Sequence, residues 1–174
     1  MLEFDGRTLS HVEELGRASD FVPQIQAVIA RDSVFSRISQ EEIEYLAGFM
    51  ACYRAAAGTL IIKEGDAGGA MVFVIEGAIE ITKRHEDGHK TLLAKIGPGD
   101  TLGEMSLLDD HPRAADCTAV EPVTFAILDQ SIMELVNRQN PSLIIKLLTQ
   151  IILILSERLR QAANLLSESL RVGI

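Results

Sequence analysis

The chain has 174 residues, 47% of them hydrophobic and 24% charged, with a formal net charge of -9. That length and composition suit one soluble globular domain, or one domain with an extension, built on a sizeable core. The acidic balance argues against a nucleic-acid surface, which needs Lys and Arg to displace counterions from phosphates. The two cysteines, Cys52 and Cys117, are too few for a secreted disulfide framework.

MLEFDGRTLSHVEEL at the start has no basic segment followed by an apolar one, so no signal peptide is expected and the reducing cytoplasm is the expected location. Residues 1 to about 50 read as helical. FVPQIQAVIA (21–30) carries apolar residues at helical spacing, and ISQEEIEYLAGFM (38–50) has a start signal, with Ser39 as cap and Glu42 three positions on. A helical extension over 1–33 and one domain over 34–174 follow from this reading.

From about 51 to 128 short strands alternate with turn residues. TLIIKEG (59–65), AMVFVIEG (70–77), AIEITKRH (78–85) and TLLAKIG (91–97) each end near a turn signal, and EDG (86–88) joins two of them as a hairpin. DCTAVEPVTFAIL (116–128) reads as a last strand pair broken at Pro122. Strands at this spacing predict a sandwich or barrel. His85 and His89 flank the hairpin turn, but no third ligand at matching spacing accompanies them, so no metal is expected. Cys52 and Cys117 lack a CxxC partner and read as small buried residues.

Within this region GEMSLLDDHPRAA (103–115) stands out. Gly103 lets the backbone approach a ligand, and EMSLL can form one helical turn whose first N–H groups have no internal partner. Such a start attracts anions. Arg113, brought back by the DDHP elbow, adds a planar donor fork suited to phosphate oxygens. Glu104 only accepts when ionised, so beside an anion it must face another group, such as a sugar hydroxyl. Together they describe a pocket for a small anion bearing a ribose. A loop closed by a Glu104–Arg113 salt bridge accounts for the spacing equally well.

Beyond Asp129 the helical period returns. Asp129 or Ser131 can cap a helix over 130–139, and Pro141 suits the first turn of a longer one over 141–168. LIIKLLTQIILILS (143–156) is interrupted by Lys146 and Gln150 and falls short of the ~20 residues that span a bilayer. Leu148, Ile152, Leu155, Leu159, Ala162 and Leu166 recur as a coiled-coil seam. The same positions fit a helix packed on its own barrel, and both contacts are expected.

GEMSLLDDHPRAADCTA resembles the phosphate-binding cassette of cyclic nucleotide-binding domains, and EGDAGGAMVFVIEGAIEI (64–81), with Gly77 at its strand turn, is similar to the family's approach to that cassette. The resemblance runs from about Gly58 to Leu128 and into the following helices. It implies an α+β fold, mainly a β jelly roll, flanked by N-terminal helices and a long C-terminal helix.

It also implies roles residue by residue. Gly103 and the N–H groups of Met105 and Ser106 would hold a cyclic phosphate, with Arg113 on its oxygens. Glu104 would accept from the ribose 2′-hydroxyl, and Ala114 and Ala115 would pack beside the phosphate. Leu102 stands where the family usually has an aromatic residue, and Ser106 where alanine is common. Ala114 lacks the hydroxyl that often marks cGMP selectivity, which makes cAMP the expected ligand and cGMP the second candidate; no cofactor is expected. Arg158 lies where relatives often place a base-contacting residue, and it fits a solvated helix face equally well.

The resulting expectation is a regulatory module, probing cAMP and relaying it through the C-terminal helix to an effector protein, and homodimeric through that helix. With the sequence ending at Ile174, no helix-turn-helix, kinase or channel segment is expected, so output would pass through a partner or the segment 1–37. The rivals are an interaction jelly roll with a vestigial pocket and a metal-dependent jelly-roll enzyme. No Ser/His/Asp set, P-loop or dinucleotide fingerprint supports catalysis.

Overall fold

A computed structural model describes residues 2–4, 7–9, 11–30, 34–109 and 111–172. The chain opens with strands β1 (Leu2–Phe4), β2 (Arg7–Leu9) and β3 (Val12–Arg17), and only then turns into helices α1 (Val22–Ile29) and α2 (Gln40–Ala47). The start was expected to be helical, and the strands β1, β2 and β3 correct that. In β3 only Val12 is fully buried, so the strand shows no apolar alternation. Its strand state comes from pairing with β4 (Ala51–Ala55), where Val12 faces Ala55 and Arg17 faces Ala51. Residues 12–17 therefore belong to the sheet itself rather than to a helical extension; the expected boundary at 33/34 borders residues 31–33, which lie outside the described ones. At α2 the capping box forms in full: Ser39 Oγ accepts from the Glu42 N–H, and Glu42 accepts from the Ser39 N–H at 2.8 Å.

The strand run continues as β5 (Leu60–Ile62), β6 (Ala70–Glu76), β7 (Ile79–Arg84), β8 (Lys90–Ile96) and β9 (Thr101–Leu102), then helix α3 (Glu104–Asp109), β10 (Asp116–Ala119) and β11 (Val123–Asp129). Two antiparallel sheets result, ordered β3-β4-β11-β6-β9 and β5-β10-β7-β8. This is the expected jelly roll. Gly77 makes the β6–β7 turn with φ +86°, and a Cβ there would run into the Pro122 carbonyl.

Two cores explain the near-continuous apolar runs of β6 and β11. Val72 and Val74 of β6, with Val123 and Phe125 of β11, point between the sheets toward Ile61, Ile79 and Cys117. Their neighbours Met71, Phe73, Ile75, Ala126 and Leu128 point to the opposite face, under the helices. Strands buried on both faces lose the polar alternation of a half-exposed sheet.

Helices α4 (Gln130–Gln139) and α5 (Pro141–Val172) close the helical layer. Asp129 caps α4 by accepting from the Ile132 N–H at 2.9 Å. Leu143, Ile144, Leu147, Ile151 and Ile154 of α5 are buried in the helix-side core, while Ile145, Ile152, Leu159 and Leu166 are exposed. Lys146 pairs with Glu42 at 2.7 Å and joins α5 to α2. Among the described residues no helix is long and apolar enough to cross a membrane.

Candidate functional site

Strand β9 is short, and its pairing with β6 (Val72 with Leu102, Phe73 with Thr101) delivers the chain to Gly103 at the rim of the inter-sheet core. Gly103 has φ +80°, and a Cβ there would strike the Arg113 guanidinium and approach the Ala70 carbonyl to 2.8 Å. Only glycine permits so close a passage. In α3 the Leu107 N–H donates to the Gly103 carbonyl at 3.2 Å, so the N–H groups of Glu104, Met105 and Ser106 precede the helical ladder.

The elbow brings the chain back alongside this start. Asp109 accepts from the His111 N–H at 3.1 Å, and Asp110 lies outside the described residues. The Arg113 N–H donates to the Asp66 carbonyl at 2.8 Å and its carbonyl accepts from the Gly65 N–H at 2.9 Å. Thus held, the guanidinium reaches inward, donating through Nη2 to the Ala70 carbonyl at 2.8 Å and through Nη1 to the Gly103 carbonyl at 3.1 Å. It is 3% exposed.

Glu104 is 2% exposed, and its partner is not Arg113. Arg158 of α5 donates through Nη1 to Glu104 Oε2 at 2.9 Å and through Nη2 to the Thr101 carbonyl at 2.6 Å. The Thr101 hydroxyl donates to Glu104 Oε1. Of the two readings open at the sequence level, the loop closed by a Glu104–Arg113 bridge is therefore not formed. Each residue instead faces its own set of groups, and Arg158 ties α5 to the base of α3.

The structure gathers Leu102, Gly103, Glu104, Ser106, Arg113 and Arg158 at one end of the inter-sheet core, with Leu102, Glu104, Ser106 and Arg113 buried. Met105 and Ala114 are exposed, and Ala115 is half-buried. The Ala114 carbonyl accepts from Lys83 Nζ at 2.7 Å. Sequence reasoning missed Thr101, which lies three residues before Glu104. A hydroxyl near a buried acidic residue was the only available signal.

It also missed the anchor that follows the cassette. Asp116, 1% exposed, accepts from Lys90 at 2.8 Å, from Arg84 at 3.3 Å and from the Glu64 N–H at 2.8 Å. Burial acts to raise its carboxyl, but these donors outweigh it and hold the group below the ordinary aspartate range. The next residue, Cys117, is buried and its thiol is pushed up to about 12 by burial, leaving it without thiolate reactivity.

Chemically, the cluster offers an anion three groups in convergence: backbone N–H donors at the start of α3, a glycine that opens the approach, and a permanently charged fork. Beside them one carboxylate is placed to accept a hydroxyl. His85 and His89 lie away from this cluster, with His85 Nε2 on the Thr91 hydroxyl at 2.8 Å. Among the described residues no group of three or more His, Cys, Asp or Glu is arranged to hold a metal ion.

The sequence model of the cyclic nucleotide-binding domain matches residues 54–139, a span containing the whole cluster except Arg158. The chain is 26% identical over 141 residues to a CRP-like cAMP-activated global transcriptional regulator of Mycobacterium tuberculosis, covering 81% of this chain and 61% of that protein. It is 31% identical over 106 residues to the cyclic AMP receptor protein of Thermus thermophilus, covering 60% of this chain and 49% of that one. The chain thus spans about half to three fifths of the length of these relatives. A solved cyclic nucleotide-binding domain from Methylobacillus flagellatus superimposes with a TM-score of 0.81 at 29% identity, over 88% of this chain and 86% of that one.

Proposed function

Since the chain belongs to the family of cyclic nucleotide-binding domains, we propose that it binds cAMP through residues 102–115 and passes occupancy of that pocket to α5. The observation that carries this reading is the convergence of the Gly103 turn, the unladdered N–H groups of α3 and the Arg113 fork on one point. In it the Met105 and Ser106 N–H groups and Arg113 hold the cyclic phosphate, and Glu104 accepts from the ribose 2′-hydroxyl. Ala114 and Ala115 lie beside the phosphate, and Ala114 has no hydroxyl with which to select guanine, which favours cAMP over cGMP. The two relatives named for cAMP support the same choice.

The relay rests on Glu104 being shared. Its carboxylate is bonded to α5 through Arg158, so a ribose hydroxyl that recruits Glu104 alters the free energy of that helix position. Arg158 then acts as the link between pocket and helix. The exposed α5 positions Ile152, Leu159 and Leu166 supply the surface for a second copy of the chain, and an effector protein reads the shift. The role is regulatory rather than catalytic, in keeping with the regulators among its relatives.

A calorimetric titration with cAMP and cGMP tests the reading. One nucleotide per chain with cAMP the tighter is the expected result, and Arg113→Lys, which keeps the charge but loses the fork, lowers affinity at least tenfold. Heatless titrations with both nucleotides at millimolar concentration overturn it.

A further inference from the structure

Strands β1 and β2 form a sheet of their own, separate from the two sheets of the jelly roll. Three residue pairs hold it, Leu2 with Leu9, Glu3 with Thr8 and Phe4 with Arg7. This register places Phe4 and Leu9 on one face of the hairpin. That face does not look outward. Phe4 and Leu9 are both buried, in the same inter-sheet core as Val72, Val74, Leu102 and Phe125. The Phe4 ring lies over the guanidinium of Arg113, 5.5 Å from Cζ to ring centroid, a cation–π arrangement.

The hairpin thus occupies one side of the residue that would hold a cyclic phosphate. An isolated two-stranded hairpin is marginally stable in water, so this one persists because its apolar face is seated. Its link to β3 passes through His11, whose φ of +62° is unusual for a residue with a side chain. From these contacts we infer that strands β1 and β2 act as an internal plug, with Phe4 and a cyclic nucleotide excluding each other at Arg113. The inference rests on the proposed nucleotide reading of the pocket. Withdrawal of Phe4 removes the ring from over the guanidinium and opens the adjoining apolar space, so the ligand's apparent affinity is its intrinsic affinity reduced by the fraction of chains that are unplugged.

The test is calorimetry with cAMP on the full chain and on Phe4→Ala, together with trypsin cleavage after Arg7 followed by mass spectrometry. A plug closed in nine chains of ten weakens binding about tenfold, so Phe4→Ala binds about tenfold tighter than the unaltered chain. In the unaltered chain, cAMP then accelerates cleavage after Arg7. If Phe4→Ala loses its melting transition, Phe4→Leu, which keeps an apolar group but no ring, is measured instead and also binds more tightly than the unaltered chain. Equal affinity in variant and parent overturns the plug and leaves the nucleotide site standing. Weaker binding by the variant also overturns it, because the ring would then be contacting the nucleotide. Absence of binding to every chain at millimolar nucleotide overturns the pocket reading, and the plug with it.

Discussion

Arg158 on α5 and Glu104 at the start of α3 stand 54 positions apart in the chain and meet in an ion pair of 2.9 Å. The carboxylate is 2% exposed and the arginine side chain 37%, so the pair spans the boundary between the pocket and solvent. Arg158 also holds the Thr101 carbonyl. A change at Glu104 therefore reaches the long helix through the Arg158 side chain.

Replacing Arg158 with Met leaves Glu104 buried with only the Thr101 hydroxyl. Cutting one partner of a buried pair costs about 3–5 kcal/mol, and partial exposure of the arginine reduces this to about 1–3 kcal/mol. Urea unfolding of Arg158→Met, Glu104→Gln and the double variant measures the coupling. A value of at least about 1 kcal/mol is expected for groups in direct contact, and additive effects would show that the two do not act as a unit.

If Glu104 reads the ribose, 2′-deoxy-cAMP binds the unaltered chain more weakly than cAMP. A buried acceptor left without its hydroxyl costs about 1–3 kcal/mol, or roughly fivefold to 150-fold in affinity. In Glu104→Gln the two nucleotides come closer together. Equal binding of both by the unaltered chain removes Glu104 from the ribose site.

Asp116 makes stability sensitive to acid. Its folded carboxyl lies below the ordinary range because Lys90, the Glu64 N–H and Arg84 together outweigh burial. A depressed folded value means the contribution is fully present above the unfolded value, near 3.8, and is lost as pH falls through the folded one. Asp116→Asn should therefore lower the urea midpoint clearly at pH 7 and by less at pH 3. The loss at pH 7 is about 1–3 kcal/mol, since a buried acceptor of three donors is replaced by a neutral one. An equal deficit at both pH values would mean that packing, not charge, is what Asn disturbs.

The exposed face of α5 should mediate dimerisation. Leu159 is 72% and Leu166 61% exposed, well beyond the buried stretch that ends at Ile154. Leu159→Glu/Leu166→Glu therefore changes association with little effect on folding. Light scattering is expected to give a dimer mass for the unaltered chain and a monomer mass, with an unchanged melting temperature, for the variant. A monomeric unaltered chain at micromolar concentration rejects the seam.

What could be read from the sequence was what is encoded locally. Gly103, the helix start behind it and Arg113 after a proline elbow lie within thirteen consecutive residues, and their chemistry follows from backbone freedom and donor geometry alone. The Ser39–Glu42 capping box, the Asp129 cap and the paired strands between 59 and 128 are equally local, each set by turn residues and short apolar runs. The seam of α5 was equally local, but spacing did not tell which face covers the core: Leu143, Leu147, Ile151 and Ile154 are buried there, while Ile152, Leu159 and Leu166 of the seam are exposed.

Tertiary structure alone decided which groups the pocket residues meet. The partner of Glu104 lies on a helix that reaches it only after both sheets and α4 are in place, so spacing offered Arg113 as its partner and gave no sign of Arg158. Strand β3 has no alternation of its own and becomes a strand because β4 offers it an unpaired edge. Phe4, near the start of the chain, has no periodicity to mark it, and its place over Arg113 exists only once the two sheets enclose the apolar space that seats it. Backbone conformation responds to neighbours in sequence, whereas burial and ion pairing respond to neighbours in space, and those are set by the closed jelly roll.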